Sequence, residues 1–334
     1  MRILVADSLD ASALAGLEAH GHEVDSRADL SADTLPDAIG GFDALVVRST
    51  RVTAATIAAG DALRLVVRAG SGTNTIDCPA ATTAGVSVAN VPGRNAVAVA
   101  ELTLGLLLAV DRRIPDGVIA LREGRWDKKG LSKGARGLHG SSLGIVGLGS
   151  IGLAVAERAR AFGMSLLALE RPGRPQETMD QIGALGITMM ASLPALAAAV
   201  DVLSLHIPAG PGTVGVVDDE TLAALRPGAI LLNTSRADVV DLDALLRALD
   251  SGRLRAGLDV YPDEPATGTA SWASPIAAHP AVVGTHHVGA STHQAQVSVA
   301  DGVVQVVEAF VAGAPIHVVN PEARASGSSG TAAG

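Results

Sequence analysis

Residues 143–152 read Leu-Gly-Ile-Val-Gly-Leu-Gly-Ser-Ile-Gly, and this stretch decides the fold. A short apolar run, typical of a buried parallel strand, leads into Gly147, Gly149 and Gly152 with the spacing G-x-G-x-x-G. Residues 153–162 then contain helix formers without Pro or Gly. The first glycine permits a tight turn, the second lets the backbone approach a pyrophosphate, and the third lets the helix pack on the strand. The stretch therefore predicts a dinucleotide site.

A second predicted strand, 165–170, ends on the carboxylate of Glu170, 18 residues beyond Gly152. A carboxylate near this separation binds both ribose hydroxyls and repels a 2′-phosphate, so the pattern favours NAD over NADP. Arg171 and Arg174 follow directly and are able to receive that phosphate, which leaves NADP open as the less favoured cofactor.

The bulk composition limits the class of protein. With 334 residues, the chain has room for two domains. Hydrophobic residues make up 48% but aromatic residues only 2%, so Ala, Val and Leu must fill the core. The net charge of −9 argues against nucleic acid as a partner. An anionic substrate would therefore need a local basic pocket.

The number of cysteines and the hydropathy of the chain indicate the cellular compartment. Cys78 is the single cysteine, so no internal disulfide is possible, and we expect a protein of the reducing cytoplasm. The N-terminus reads as a strand rather than a signal peptide. The longest apolar stretch, Ala96 to Val110, is too short to span a membrane and contains Glu101. We expect a buried helix there and no membrane partner.

Strands and helices alternate on both sides of the glycine turn, which predicts α/β architecture. We expect two doubly wound parallel-sheet domains: a Rossmann NAD-binding domain inserted into a flavodoxin-like substrate domain. The predicted NAD-binding domain covers 96–290, the substrate-binding domain covers 1–95 and 291–321, and 322–334 is a Ser- and Gly-rich tail expected to be disordered.

Residues 123–140 form a Gly-rich, basic segment. One interpretation is an exposed linker, and the other is an arm that reaches a partner subunit. The residues do not decide between them.

Four polar side chains lie at or just past the predicted ends of three strands: Arg236, Asp259, Glu264 and His287. Ligands of doubly wound sheets bind outside the carboxyl ends of the strands, so one cleft can hold all four.

Oxidising a secondary alcohol with NAD needs a base, a cation that polarises the oxygen, and a group that orients the base. His287 is our candidate base, and Glu264 is the carboxylate that we expect to pair with its imidazole. Arg236 is the guanidinium that we expect to bind a substrate carboxylate through two hydrogen bonds. Each also has an interpretation that involves no catalysis, such as a surface ion pair for Arg236 or a solvated carboxylate for Glu264. His286 and His287 point to opposite sides of an extended chain, and the residues alone do not choose between them. No metal-ligand spacing and no nucleophile motif is visible.

Several motifs together resemble the D-isomer-specific 2-hydroxyacid dehydrogenase family over nearly the whole chain to about Pro321. They are 68–72 (Arg-Ala-Gly-Ser-Gly), 100–103 (Ala-Glu-Leu-Thr), 143–152, 233–236 (Asn-Thr-Ser-Arg), 258–265 (Leu-Asp-Val-Tyr-Pro-Asp-Glu-Pro) and 287–292 (His-Val-Gly-Ala-Ser-Thr).

The resemblance implies roles for individual residues. It selects His287 over His286 as the catalytic histidine, beside Glu264 and Arg236. Its implied cofactor contacts, beyond the three glycines and Glu170, are Ser71, Ser150, Ile151, Thr234, Ser235, Asp259, Gly289 and Ala290. Its implied substrate contacts are Arg48, Arg68, Ala69, Gly70, Ser71, Gly72 and Lys128. The two arginines would hold a substrate phosphate, and Lys128 stands where a neighbouring subunit supplies a further basic group.

Three departures accompany the resemblance. Lys128 stands where the family pattern has Arg, Ala237 stands where Gly is usual, and the chain stops near Pro321, before the C-terminal regulatory domains of longer members. We therefore expect a short form without serine feedback through such a domain. The resemblance implies a homodimer or homotetramer that acts on a small anionic 2-hydroxy or 2-oxo acid. A protein that only binds NAD(H), like the corepressors of this fold, keeps the same residues and remains an alternative.

Overall fold

The computed structural model describes residues 1–265 and 269–323, and the chain forms two compact units. The first unit contains residues 1–95 and the described residues from 291 onward, and the second contains Ala96–Ala290. The second unit is thus an insertion between the two segments of the first.

The first unit is built on a five-stranded parallel sheet of order β2-β1-β3-β4-β5. The strands are β1 (Arg2–Val5), β2 (Glu23–Ser26), β3 (Ala44–Val47), β4 (Leu65–Arg68) and β5 (Ser87–Asn90). The helices between them are α1 (Ala11–Ala19), α2 (Leu35–Ala38), α3 (Ala54–Ala59) and α4 (Cys78–Thr83). This order is the flavodoxin-like one.

The second unit contains a seven-stranded parallel sheet of order β12-β11-β10-β9-β6-β7-β8. Its strands are β6 (Ser142–Val146), β7 (Ser165–Leu169), β8 (Thr188–Met190), β9 (Val202–Leu205), β10 (Ala229–Asn233), β11 (Leu254–Leu258) and β12 (Val282–Gly284). The order reverses at β6, which pairs with both β7 and β9, as in a Rossmann fold. Two doubly wound parallel sheets were predicted, and these orders confirm the prediction.

Helices of the second unit are α5 (Ala96–Arg112), α6 (Ile114–Arg122), α7 (Lys128–Ser132), α8 (Ser150–Ala161), α9 (Gln176–Leu185), α10 (Leu193–Ala199), α11 (Asp219–Ala224) and α12 (Leu242–Asp250). The chain then returns to the first unit with α13 (His293–Val311), which packs on α1.

The residues of 95–121, whose composition indicates a mainly helical stretch, form two helices. Arg113 adopts a left-handed conformation, with φ of 51°, between α5 and α6, and Pro115 opens α6. A proline has no backbone N–H for the preceding turn, so the helix restarts in a new direction. The apolar part is buried as expected: Leu104, Leu107 and Val110 are at most 5% exposed.

Apolar side chains cover both faces of the first sheet. In β1, Leu4 belongs to one buried cluster, whereas Ile3 and Val5 belong to a second cluster. Alternate residues of a strand point to opposite faces, so continuous apolar runs are required where helices cover both faces. This pattern explains how a core with few aromatic residues is filled.

The C-terminal segment is held to the edge of the first sheet. The side chain of Asn320 accepts a hydrogen bond from the Val88 N–H (2.7 Å) and donates to the Val86 carbonyl (2.9 Å). Of the tail predicted to be disordered, Glu322 and Ala323 are described, and Ala323 is buried. Residues 324–334 lie outside the described part of the chain.

The three glycines after β6 differ in what their positions permit. Gly147 has a φ of +102°, and a Cβ there would lie 2.4 Å from the carbonyl oxygen of His206. A Cβ on Gly152 would lie 1.9 Å from the Gly147 carbonyl oxygen, whereas one on Gly149 would meet nothing within 4 Å. Two of the glycines are therefore required by the fold, and the third is not.

We predict that Gly152→Ala lowers the free energy of unfolding by about 1–3 kcal/mol, because the backbone must move to admit the methyl group. Gly149→Ala is the matched control and should stay within about 0.5 kcal/mol of the parent. Chemical denaturation followed by circular dichroism measures both. Equal destabilisation by the two substitutions would contradict this account of the turn.

Candidate active site

Three loops meet at the carboxyl edge of the second sheet. Asn233, the last residue of β10, is paired with Leu258 at the end of β11, and Leu258 is paired with Gly284 at the end of β12. The strand β11 ends at Leu258, so Asp259 directly follows it. Since the strands are parallel and end in register, the loops that follow them are neighbours.

Asn233 shapes the loop that carries Arg236. Its buried side-chain oxygen accepts hydrogen bonds from the N–H (3.0 Å) and hydroxyl (2.9 Å) of Ser235, and its amide donates to the Arg236 carbonyl (2.8 Å). These bonds close an Asx turn. Sequence reasoning missed Asn233, although an Asn at a strand end is a known signal for such a turn.

Asp259 holds the loop that carries His287. Its carboxylate is 1% exposed and accepts three hydrogen bonds, from the Thr285 hydroxyl (2.6 Å) and the N–H groups of Val288 and Gly289 (both 2.9 Å). A Cβ on Gly289 would lie 3.0 Å from this carboxylate. The buried acid therefore fixes the backbone on both sides of His287.

His287 adopts a left-handed conformation with a φ of +52°. A non-glycine residue in this region is under strain of about 1–3 kcal/mol and persists only where its surroundings hold it. The anchors on Thr285, Val288 and Gly289 supply that restraint. Such strain is concentrated at functional sites.

Glu264 and His287 form a direct pair. Glu264 Oε2 lies 2.6 Å from His287 Nδ1, and Glu264 Oε1 accepts the Tyr261 N–H at 2.7 Å. The side chain of Glu264 is 29% exposed and that of His287 is 50% exposed. With Nδ1 occupied by Glu264, the other ring nitrogen, Nε2, is the one left to exchange a proton with a ligand.

The pair shifts both ionisation equilibria. The hydrogen bond that His287 donates to the Glu264 carboxylate raises the pKa of His287 above its ordinary value, against the opposing effect of desolvation. Burial works to raise the pKa of Glu264, but its hydrogen bonds to His287 and the Tyr261 N–H prevail and hold it below its usual range. A histidinium facing a carboxylate is thus favoured over two neutral groups.

Arg236 lies within electrostatic reach of this pair. Its positive charge works to lower the pKa of both Glu264 and His287. The guanidinium is half-buried, and Nη1 donates to the Ser235 carbonyl at 2.6 Å. An imidazole, a carboxylate and a guanidinium therefore lie near one another at one end of the sheet, and these are the types of group that alcohol oxidation needs.

Two other histidines differ from His287. His286 is exposed, and the structure places His287 rather than His286 against Glu264. His206 follows β9, and burial lowers its pKa to about 4. Its Nε2 lies 2.8 Å from the Ser204 hydroxyl, while Nδ1 has no hydrogen-bond partner within the described residues. A histidine that stays neutral in this way is unsuited to act as a base.

The glycine turn fits a dinucleotide. Gly149 is the N-cap of α8 and brings no capping side chain, so the first N–H groups of the helix, at Ser150 and Ile151, face outward. The space above Gly149 is open. Backbone donors at an uncapped helix N-terminus beside an open glycine suit a pyrophosphate.

Further predicted cofactor residues lie along the same sheet. Glu170 is exposed directly after β7, and the half-buried Arg174 donates from Nη2 to the Leu169 carbonyl (3.1 Å). Thr234 is buried, with its hydroxyl 2.9 Å from that of Thr103.

In the first unit, Arg48 and Arg68 lie at the same end of the sheet, because Arg68 pairs with Val47, the residue before Arg48. Asp7 accepts the N–H groups of three successive residues, Arg48 (2.6 Å), Ser49 (3.0 Å) and Thr50 (3.0 Å). This fan of bonds fixes the loop from which Arg48 projects.

The Arg68 side chain folds over Gly70, where a Cβ would lie 1.6 Å from Nη1. The φ of +143° at Gly70 and this close approach require glycine there. Ser71 is exposed, with its carbonyl held by the Asn90 amide at 2.6 Å, and Ala69 is buried.

The segment 123–140 is exposed at its tip and anchored at its end. Trp126 is 82% exposed, and Lys128, the first residue of α7, is exposed as well. Towards the end, the buried Asp111 accepts the N–H groups of Arg136 and Gly137, both at 3.0 Å.

Among residues 1–265 and 269–323, no group of three His, Cys, Asp or Glu side chains is arranged to hold a metal ion. Within the same ranges, every helix is too short or too polar to cross a membrane.

Comparisons with known proteins agree with this geometry. The family model for the D-isomer specific 2-hydroxyacid dehydrogenase, NAD binding domain, matches residues 104–289. The chain is 38% identical over 298 residues to a D-3-phosphoglycerate dehydrogenase of Methanocaldococcus jannaschii, a match that covers 89% of this chain and 55% of the relative. The chain thus spans about half the length of the phosphoglycerate dehydrogenases that it matches.

Two further matches are of similar overall length. A hydroxypyruvate reductase of Thermotoga maritima is 39% identical over 269 residues, covering 80% of this chain and 84% of the relative. The structure of a glyoxylate reductase from Paecilomyes thermophila matches with a TM-score of 0.83 at 26% identity, covering 96% of this chain and 98% of that one.

We predict that Glu264→Gln lowers the pKa of His287 by about one unit, the lower end of the effect of an adjacent opposite charge because the ring is half-exposed. Asp263→Asn is the control, since it removes a charge from the same turn and Asn tolerates the left-handed φ of 54° at that position. A histidine NMR titration measures both. An unchanged His287 pKa in Glu264→Gln, or an equal change in Asp263→Asn, would speak against the pair.

Proposed function

The chain belongs to the D-isomer-specific 2-hydroxyacid dehydrogenase family, and we propose that it oxidises D-3-phosphoglycerate to 3-phosphohydroxypyruvate with NAD, the first step of L-serine biosynthesis. The observation that carries the catalytic part is the 2.6 Å contact between His287 and Glu264 within reach of the Arg236 charge. The substrate assignment is supported by relatives that are phosphoglycerate dehydrogenases and by the two adjacent arginines of the first unit.

His287 is the proposed general base. In the oxidising direction, neutral His287 takes the hydroxyl proton of the substrate on Nε2 while the Nδ1–H remains directed at Glu264. The carboxylate stabilises the imidazolium that forms, and Arg236 binds the substrate carboxylate and polarises the oxygen. In the reducing direction, protonated His287 returns the proton. NAD, when bound, supplies the hydride chemistry.

The cofactor is proposed to bind along the glycine turn and the strand ends next to it. The α8 N-terminus takes the pyrophosphate at Ser150 and Ile151, and Glu170 takes the adenosine ribose hydroxyls. We assign the remaining contacts to Ser71, Thr234, Ser235, Asp259, Gly289 and Ala290. Asp259 already accepts three hydrogen bonds, and its two oxygens offer about four acceptor sites, so one is left for the cofactor.

Arg48 and Arg68 are proposed to bind the substrate phosphate, and residues 69–72 the substrate carboxylate. The positive charge of the two arginines gives an acidic protein the local basic site that a substrate with both a carboxylate and a phosphate requires. A reductase of hydroxypyruvate or glyoxylate is the second candidate, favoured by the Thermotoga maritima relative and by the glyoxylate reductase structure.

The second unit is proposed to form a homodimer through α6 and the segment 123–140. Four apolar side chains of α6 are between 39% and 62% exposed, and Trp126 is 82% exposed. The four are Ile114, Val118, Ile119 and Leu121. Several exposed apolar side chains on one helix are typical of an interface between subunits. Lys128, in the segment that follows, would contribute its charge to the site of the neighbouring subunit.

His287→Ala should lower kcat by about 10²- to 10⁴-fold, the usual loss on removing a general base. His286→Ala, which removes the exposed neighbour, should change kcat by less than about threefold. Steady-state rates with NADH and 3-phosphohydroxypyruvate measure both. The choice of base is wrong if the two results are reversed.

The phosphate assignment predicts that kcat/KM for D-3-phosphoglycerate exceeds that for D-glycerate. Arg48→Ala and Arg68→Ala should each reduce this preference by about tenfold or more, the size of one lost charged hydrogen bond. Arg51→Ala removes an exposed arginine from the same loop and serves as the control. Equal kcat/KM for the two substrates in the parent protein would rule out the assignment and favour the reductase.

A further inference from the structure

Glu264 lies in a turn whose conformation is held from outside by Trp272. The indole Nε1–H of Trp272 donates to the carbonyl oxygen of Asp263 at 3.1 Å. That carbonyl belongs to the peptide that joins Asp263 to Glu264, so the bond fixes the plane from which the Glu264 side chain starts. Asp263 itself has a φ of +54° and needs such a restraint.

Trp272 also packs on the other end of the turn. Its ring meets that of Tyr261 edge-on, with 5.2 Å between the centroids and 67° between the planes. Tyr261 is buried, and its hydroxyl donates to the Leu258 carbonyl at 3.1 Å. A Cβ on Gly284 would lie 2.0 Å from this hydroxyl oxygen, so the Tyr261 ring lies against the strand that leads to His287.

The Glu264 side chain folds back on the start of its own turn. The Tyr261 N–H binds Glu264 Oε1 (2.7 Å) and leaves Oε2 for His287 Nδ1 (2.6 Å). Trp272 therefore contacts the residue whose N–H binds the carboxylate and the residue that precedes the carboxylate in the chain. A shift at either contact moves Oε2 relative to the imidazole.

We propose that Trp272 is a positioning residue, which clamps the turn 261–264 so that Glu264 meets His287 in the geometry that proton transfer requires. The part concerning turnover rests on the proposed function, whereas the clamp itself does not. Trp272 acts through Glu264 and has no contact with the reacting atoms in this account.

The charged groups that act on His287 are Glu264, Asp259 and Arg236. Asp259 and Arg236 are held by other contacts, to the loop after β12 and to Ser235. A change at Trp272 acts on Glu264 through the turn, and a second route runs through the Tyr261 ring to the strand before His287. The His287 pKa is therefore a readout of the clamp when a Tyr261 variant serves as a control.

The test compares Trp272→Phe with two controls in the full chain. Trp272→Phe keeps a ring against Tyr261 and removes the N–H donor. Trp126→Phe makes the same change at the exposed tryptophan. Tyr261→Phe removes a hydrogen bond of the same turn, the one to the Leu258 carbonyl, but keeps the N–H that binds Glu264.

A histidine NMR titration, with the His287 signal identified by its loss in His287→Ala, is recorded for each variant. In Trp272→Phe we expect the His287 pKa to fall by roughly half a unit, the size expected when part of one hydrogen bond is lost. We also expect kcat to fall about two- to tenfold with little change in KM. Both controls should leave the His287 pKa unchanged.

An unchanged His287 pKa in Trp272→Phe overturns the proposal, and so does an equal shift in Tyr261→Phe, which would indicate a general loosening of the turn. The titration needs no substrate. If the parent protein turns over no 2-hydroxy or 2-oxo acid, the proposed function fails, but the titration still decides the role of Trp272.

Discussion

The hydrogen bond between His287 Nδ1 and Glu264 Oε2 exists because β11 and β12 are parallel and end in register. Neither partner lies on a strand; each lies on the loop that follows one. The loops are shaped by buried groups next to the strand ends: Asp259 holds the backbone around His287, and the Tyr261 N–H holds the other oxygen of Glu264. The sheet thus determines where the two loops lie, and the contacts of Asp259 and of the Tyr261 N–H determine how His287 and Glu264 are oriented.

The same hydrogen bond links stability to pH in two opposite ways. The pKa of His287 is raised on folding, so its contribution to stability is complete below the unfolded value of about 6.5 and is lost as pH rises through the folded value. The pKa of Glu264 is lowered, so its contribution is present above about 4.3 and is lost as the pH falls further. The pair therefore stabilises the fold most between about pH 4.3 and about pH 6.5. The proposed oxidation instead needs neutral His287, so it is favoured at a higher pH.

Much of this arrangement could be predicted from the sequence because it depends on local signals. The glycine spacing after β6, the apolar strands and the polar residues at the strand ends are all visible within short windows of sequence. Short elements such as β5 and β8 were not predicted. The break at Arg113 was also missed, although Pro115 was a visible signal for it.

The rest depends on contacts between distant residues. The left-handed conformation of His287 requires Asp259, 28 residues earlier, and the clamp on Glu264 requires Trp272, beyond the turn itself. Neither contact leaves a pattern in the sequence. For the same reason the choice between His286 and His287 could be made only by resemblance, until the structure placed one of them against Glu264.

The central claim is that His287 is the group that exchanges a proton with the substrate. The most direct measurement is the single-turnover rate of NADH oxidation by a 2-oxo acid as a function of pH, compared with the pKa of His287 from NMR in the cofactor complex. The account predicts that the rate falls as pH rises, with a midpoint that coincides with that pKa. A rate that stays constant while His287 titrates would contradict it.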